Sequence, residues 1–491
     1  MAKLIVWQNN TSQEVVFSAP AKLDEVLGQN NIIASRLCGG RGVCGKCKVK
    51  LVGCVSEPTL TEQKLGCRLS CQAVLLGDAV AWLPEKSDMV QIELSDSGSK
   101  IDILSPMTGQ LGVAIDVGTT TLAMKLFELK TGACVGQTSM ENPQRGVAAD
   151  VMGRIQASLE GKGAILKRQI LVALKTMLED VCLEAKCDPE NVDAIVVVGN
   201  TTMLYLLSGR SPESLAFAPF LADDLFGRMD KILDRTAYMP PCMNAFVGAD
   251  ISAAVLASGM CDKNETALLC DIGTNGELAL WKDGTLFVSS TAAGPAFEGA
   301  GISCGCGSVL GAIDRVWVED GAIRIHTIGG VRPVGVCGSG LLDASASFVE
   351  LDKIDETGAM EETELLLSGN IAIVPKDVRA LQLAKAAVAA GIETILAEAG
   401  IRADEIQTLY IAGGFGSHLT VSSAVKIGLI PEELEDKVVV LGNAALSGAV
   451  MMLLNQNMQN KAADIAAHAK HINLGGNSVF NEWLVEKIMF E

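Results

Sequence analysis

The chain predicts a multidomain α/β fold, and three observations carry that prediction. From Leu111 onward, apolar runs ending in Gly, Thr or Asn alternate with amphipathic stretches, the texture of strands followed by packing helices. Fifty glycines against three tyrosines, in a chain that is 49% hydrophobic, fit many tight strand-to-helix turns around an aliphatic core. The third is a loose internal repeat: Gly112-Val-Ala-Ile-Asp116-Val-Gly118-Thr119-Thr120-Thr121 is echoed by Ala267-Leu-Leu-Cys-Asp271-Ile-Gly273-Thr274-Asn275-Gly276, so two related halves facing one another across a cleft are expected.

Residues 1–84 are rich in Val and Cys and read as short strands at 3–7, 14–17, 48–52 and 80–83, with a short helix at 23–27. Residues 85–110, with Ser95, Ser97, Gly98, Ser99 and Pro106, have the composition of an exposed linker. The α/β region then divides into a first half at 111–265 and a second at 266–491. In 166–186 the apolar residues Ile170, Leu174, Met177, Leu178 and Val181 recur at helical spacing, and in 377–398 Leu381, Ala384, Val388, Ile392 and Ile395 do the same, so both should pack on sheets. Residues 438–460 are uncharged, but Gly442, Asn443, Ser447, Gly448, Asn455 and Asn457 interrupt them; a strand, a turn and a buried helix fit better than a membrane span.

The formal charge of -19, without clustered Lys or Arg, argues against nucleic acid as a partner. The start of the chain has no long apolar run and no small-residue cleavage site, so a cytoplasmic protein without a membrane partner is expected. In such a compartment fifteen cysteines point to metal or redox chemistry where they cluster, and to small buried hydrophobes where they scatter from Cys134 onward.

One cluster stands out. Cys38, Cys44 and Cys47 form C-x5-C-x2-C in a glycine-rich loop, and Cys71 follows after 23 residues. A plant-type 2Fe-2S loop has C-x4-C-x2-C and a distant fourth cysteine, because one loop must wrap three thiolates around the cluster while a second segment closes it. Gly39, Gly40, Gly42 and Gly45 would let backbone amides turn toward the sulfides, where Cβ atoms would crowd. Structural zinc would also accept four cysteines, but zinc ribbons pair two close C-x2-C knuckles and the second half here lacks one. The residues leave the fourth ligand open among Cys54, Cys67 and Cys71. The block resembles the 2Fe-2S ferredoxin domains of the C-x5-C-x2-C kind, whose last ligand sits in an Arg-Leu-x-Cys-Gln segment like Arg68-Leu69-Ser70-Cys71-Gln72. That resemblance implies a β-grasp-like domain with Cys71 as the fourth ligand.

Asp116 and Asp271, 155 residues apart, each end an apolar strand ahead of a Gly-Thr turn. In such a hairpin the glycine admits phosphate to the backbone, hydroxyls and amides hold its oxygens, and the carboxylate can order Mg2+ and water. Residues 111–454 resemble the superfamily of actin, sugar kinases and actin-like chaperone ATPases, in which two RNase H-like halves sandwich ATP. The resemblance implies a first phosphate loop with Asp116, Gly118, Thr119, Thr120 and Thr121, and a second with Asp271, Gly273, Thr274 and Asn275. It makes Asp250, on the first connecting helix, a candidate to position the attacking water; an N-cap on a helix beginning at Ile251 is the plainer alternative. It matches Gly413, Gly414 and Gly416 to the adenosine loop, and 442–448 to the second connecting helix. Gly338 and Ser339 fit either a helix start in the cleft or plain packing.

The whole chain resembles the reductive activators of corrinoid proteins. Stretches that add to the match include Glu141-Asn-Pro-Gln-Arg-Gly, Val198-Gly-Asn200-Thr201-Thr-Met, Ala293-Gly-Pro-Ala-Phe-Glu-Gly-Ala-Gly-Ile-Ser303-Cys-Gly and Gly413-Gly-Phe-Gly-Ser-His418. The resemblance implies an ATP-hydrolysing reductase that returns one electron from a 2Fe-2S cluster to Co(II), restoring Co(I) in the corrinoid protein of a methyltransferase system. A low-potential electron donor would feed it, and ATP turnover would depend on the partner. A plant-type cluster lies near about -400 mV, above a typical Co(II)/Co(I) couple, so the transfer must be coupled to nucleotide binding or hydrolysis. Such activators are often longer between ferredoxin and ATPase than the 26 residues here.

The mobile-looking, glycine-rich segment 293–307 suits either a surface that approaches a corrin, with Ser303 as a cobalt contact, or a cover over the nucleotide phosphates. Cys304 and Cys306 alone make a poor metal site. Alternatives are an activator of another low-potential enzyme such as a 2-hydroxyacyl-CoA dehydratase, a redox-sensing ATP-binding module, or a small-molecule kinase. A homodimer is left open.

Overall fold

The computed structural model describes residues 1–8, 11–30, 32, 47–83 and 105–490. Its N-terminal sheet runs, in spatial order, Thr11–Phe17, Ala2–Gln8, Val74–Trp82, Lys48–Val55 and Arg68–Leu69. Ala2–Gln8 and Val74–Trp82 pair parallel, and their neighbours pair antiparallel. Leu4 and Val6 alternate with exposed residues, the period-two pattern of a sheet buried on one face. That face meets Leu23, Val26 and Leu27 of the helix Leu23–Gln29, which gives the β-grasp arrangement of a sheet folded over one helix.

The two later sheets share one topology. In the first, Ala133–Glu141, Thr121–Glu128 and Leu111–Val117 form an antiparallel meander, and Val192–Gly199 and Arg235–Met239 continue it in parallel. In the second, Thr285–Thr291, Gly276–Lys282 and Ala267–Ile272 form the meander, and Thr408–Ala412 and Val438–Gly442 continue it. The order third, second, first, fourth, fifth is RNase H-like in both lobes. The internal sequence repeat is therefore a structural one, with Asp116 and Asp271 at equivalent places on equivalent strands.

The amphipathic stretches pack as their periodicity requires. Gly163–Glu184 buries Ile170, Leu174, Met177 and Val181 against the first sheet. Pro375–Ala399 is long and apolar enough to cross a membrane, yet 78% of its apolar window is buried inside the protein, so it is a core helix here. Residues 438–460 resolve into the strand Val438–Gly442, the helix Ala444–Leu454 and the start of the helix Asn457–Ala467. The hairpin of Ala312–Glu319 with Ala322–Thr327 was not anticipated; its burial alternates too weakly to stand out from loop sequence.

Two helices join the lobes. Ala249–Ser258 and Ala444–Leu454 are almost entirely buried and cross within one apolar core that also contains residues of both sheets. Gly448 lies at the crossing, where a Cβ would overlap the Ala253 carbonyl. Gly448→Ala is therefore expected to destabilise the protein by about 2–3 kcal/mol, because backbone must move to admit the methyl group. Urea unfolding of the two proteins checks this, and an unchanged midpoint would refute the close crossing.

Candidate functional site

In the N-terminal domain, Cys47 and Cys71 are both buried and their Sγ atoms are 3.2 Å apart. The Cys71 thiol beside it brings Cys47 down to about 6, so one of the pair readily carries negative charge. Two converging thiols on separate segments fit a shared iron. The Cys71 segment is held by Glu62, whose buried carboxylate accepts from Thr59 N (2.7 Å), Leu69 N (2.8 Å) and Arg68 Nε (3.1 Å). Ser70 N then donates to the Cys47 carbonyl at 2.8 Å. Cys67 packs beside the pair, whereas Cys54 is exposed on its strand. Cys38 and Cys44 lie outside the described residues.

The nucleotide-type loops are the hairpin turns 118–120 and 273–275 of the two equivalent sheets. In the first, Asn142 Nδ2 donates to Gly118 O at 2.8 Å, Arg154 Nη2 to Thr119 O at 2.5 Å, and Asn200 Nδ2 to the Thr119 hydroxyl at 2.9 Å. In the second, Gly273 N closes the turn on Asn275 O at 2.9 Å. The strand Thr408–Ala412 delivers Gly413 next to Asp271: its φ is +86°, and a Cβ there would collide with Asp271 Oδ1. Only glycine fits that place. Gly414 is open to the surroundings, while Gly416 is buried against Ile411.

Four buried carboxyl groups, on or beside the strands that lead into these loops, stand within charge range of one another. Burial pushes Asp116 up to about 6, against the hydrogen bond it accepts from Asn443 Nδ2 at 2.9 Å. Burial, then the charge of Asp116, pushes Asp271 up to about 7. Asp250 and Glu277 are raised first by burial and then by neighbouring carboxylates, Asp271 among them in both cases. Such a set, short of counter-charge, is what a divalent cation and its waters would relieve. Among the described residues no three acidic, His or Cys side chains converge as direct ligands of a metal ion.

Other expected residues take different places. Asp250 is not the N-cap: Gly248 caps the helix Ala249–Ser258, and Asp250 stands in its first turn with Oδ1 accepting from Ile251 N at 2.9 Å. Thr201 is fully buried, and its hydroxyl donates to Asn244 O at 2.8 Å, so it braces the approach to that helix. Thr121 opens the strand Thr121–Glu128. Gly338 begins the helix Gly338–Glu350 against the Phe297 carbonyl, and Ser339, buried, donates to Asp314 O at 2.9 Å. Both have the packing geometry of a helix start beneath the 293–307 segment. Ser303 is exposed there, with N and Oγ donating to Asp377 Oδ1 at 2.8 and 3.0 Å.

Sequence reasoning missed Asn443, Glu277 and Glu298. Asn443 caps the second connecting helix through Leu446 N at 2.8 Å, and its cap motif was legible, but its bond to Asp116 spans 327 residues. Glu298, within 293–307, accepts from the hydroxyls of Thr120 at 2.5 Å and Thr274 at 2.6 Å.

Comparison with known proteins finds matches along three stretches of the chain. Residues 7–76 match the 2Fe-2S iron-sulfur cluster binding domain, 111–263 the RACo middle region, and 265–491 the C-terminal domain of RACo, the ASKHA domain. The chain is 34% identical over 418 residues to the corrinoid activation enzyme RamQ of Eubacterium limosum, covering 77% of this chain and 70% of that protein. It is 26% identical over 423 residues to the Co(II) methylated amine-specific corrinoid protein reductase of Methanosarcina barkeri, covering 77% of each. Among solved structures, a reductive activator for corrinoid, iron-sulfur protein superposes with a TM-score of 0.73 at 26% identity, over 100% of this chain and 98% of that one.

Proposed function

Since the chain belongs to the family of reductive activators of corrinoid proteins, we propose that it uses ATP to drive one electron onto the Co(II) of a corrinoid protein, returning it to Co(I) for methyl transfer. What supports this reading is the joining, in one chain, of the Cys47 and Cys71 thiol pair to two equivalent lobes that bring the buried carboxyls Asp116, Asp250, Asp271 and Glu277 within charge range of one another. When bound, a 2Fe-2S cluster supplies a low-potential one-electron carrier, and Cys38, Cys44, Cys47 and Cys71 are the residues that would hold it.

The protein's own groups do the rest. Thr119, Thr120, Thr274 and the turn amides bind phosphate oxygens. Asp116 and Asp271 are the residues that would hold Mg2+, and Asn443 orients Asp116. Asp250 takes a proton from the attacking water, a role suited by its raised affinity for protons. Gly413, Gly414 and Gly416 bring backbone close to the adenosine. Ser303, exposed on the segment that also reaches both phosphate loops, is the group offered to the corrin cobalt.

An anaerobic spectral titration tests the reading. The chemically reduced protein is mixed with a Co(II) corrinoid protein of a methyltransferase system, and Co(I) absorbance is followed with and without Mg-ATP. Co(I) is expected to form only with ATP. Equal formation without ATP would sink the coupling, and no formation with a reducible cluster present would sink the activity toward that partner.

A further inference from the structure

We infer that Glu298 is the residue through which the 293–307 loop registers nucleotide: its carboxylate occupies the two hydroxyls that phosphate needs, and phosphate binding releases it. The inference rests on the nucleotide reading above and extends it to how occupancy of the cleft is passed to the loop that carries Ser303.

Glu298 ends a short turn of helix, Pro295–Glu298, between Gly294 (φ +79°) and Gly299 (φ +69°). One of its oxygens accepts from Thr120 in the first lobe and the other from Thr274 in the second, so a single side chain ties both phosphate loops together. A threonine hydroxyl has only one proton to donate. If it is given to Glu298, it cannot be given to a phosphate oxygen, and two anions cannot share the same pair of donors without strong repulsion. Carboxylate and phosphate are therefore alternatives at this place. With Glu298 bound, the loop is latched across the cleft.

The latch has a route outward. Gly299 approaches the Cys306 carbonyl so closely that a Cβ would overlap it, and Gly305 N donates to Ile302 O at 3.2 Å. The loop is thus folded on itself, and displacement of Glu298 shifts the turn that holds Ser303 and its bonds to Asp377. Phe297, next to Glu298, stacks on Phe415 of the adenosine loop with ring centroids 4.6 Å apart. Neighbouring residues of one loop consequently touch the phosphate loops and the adenosine loop at once.

Hydrogen exchange of the full-length, cluster-loaded protein tests this, with and without a non-hydrolysable ATP analogue and Mg2+, together with calorimetric titration of the same analogue. In the unaltered protein, exchange across 295–303 is expected to rise at least about threefold on binding. In Glu298→Ala it should be raised without nucleotide and change no further, and the analogue should bind roughly three- to tenfold tighter, since two hydrogen bonds no longer have to be broken first. Exchange that is unchanged or slower on binding in the unaltered protein would overturn the latch, whatever the variant does. Binding at least about tenfold weaker in Glu298→Ala would overturn it too, by making Glu298 a support of the bound nucleotide. If the unaltered protein binds no analogue, the nucleotide reading itself falls, a result distinct from binding without loop release.

Discussion

Asp250→Asn is expected to stabilise the nucleotide-free protein at pH 8 while lowering partner-dependent ATP turnover by about a hundredfold or more. The stabilisation follows from the carboxyl cluster. Asp116 and Asp271 titrate near about 6 and 7 in the folded protein, and Asp250 and Glu277 are raised as well, whereas unfolded carboxyls titrate near about 4. Between these values the folded state binds more protons than the unfolded one. The stability this contributes is complete below about pH 4 and is lost as pH rises through the folded values. Glu141 and Asp343 are also raised, chiefly by burial, and add to the same trend in both proteins; Glu62 and Asp224 are lowered, so their contributions fade only in acid, and His471 is lowered by burial, which favours the folded state as pH rises. The difference between variant and parent isolates the cluster. Asparagine at 250 removes one charge from it and relieves its neighbours, so the fall in stability from pH 5 to pH 8 should be shallower in the variant, by on the order of 1–3 kcal/mol at pH 8. Parallel melting curves across that range would refute mutual repulsion as the cause. Mg2+ with nucleotide should erase much of the difference, because the cation supplies the missing counter-charge.

What could be read from the sequence was what is local. Asp116 and Asp271 announce themselves because strand, carboxylate, glycine and hydroxyl follow one another within a single hairpin, and the same is true of Gly413 after its strand. The helices at Gly163–Glu184 and Pro375–Ala399 were legible because burial imposes a 3.6-residue period. Partners across the cleft carry no such signal. The bond from Thr120 to Glu298 joins residues 178 positions apart, and the one from Asn443 to Asp116 joins residues 327 apart. Neither glutamate nor asparagine is unusual where it stands. Asp250 shows the reverse case: a local rule offered it as an N-cap, but the preceding glycine takes that place because Gly248 must pass against Asn200, where a Cβ would overlap the backbone. The tertiary contact decides the cap, and Asp250 stands inside the first turn, buried beside Asp116 and Asp271.

Cys71→Ala is expected to abolish electron transfer altogether while leaving nucleotide binding intact. The Cys71 thiol lies beside that of Cys47 because the segment carrying it is fixed at two points, by the Glu62 carboxylate at Leu69 N and Arg68 and by Ser70 N on the Cys47 carbonyl. Among the described residues, neither Cys54 nor Cys67 is placed as Cys71 is. Cys54 is exposed on its strand, with its sulfur against Gly77, and Cys67, though near the pair, follows the Gly66 cap of the helix Leu60–Leu65, where its amide closes the last turn on Glu62 O. A lost thiolate leaves iron with an open position, and clusters in that state are readily lost. Iron and sulfide content of the purified variant should fall close to zero, with no Co(I) formed under any nucleotide, whereas Cys54→Ala and Cys67→Ala should retain both cluster and activity. The two lobes proposed to hold ATP are built on cores separate from that of the N-terminal domain, so calorimetric affinity for Mg-ATP in Cys71→Ala should match the parent within about twofold, as for sites that share no contacts. A cluster retained in Cys71→Ala but lost in Cys67→Ala would transfer the fourth ligand to Cys67 and require the segment to turn by several residues.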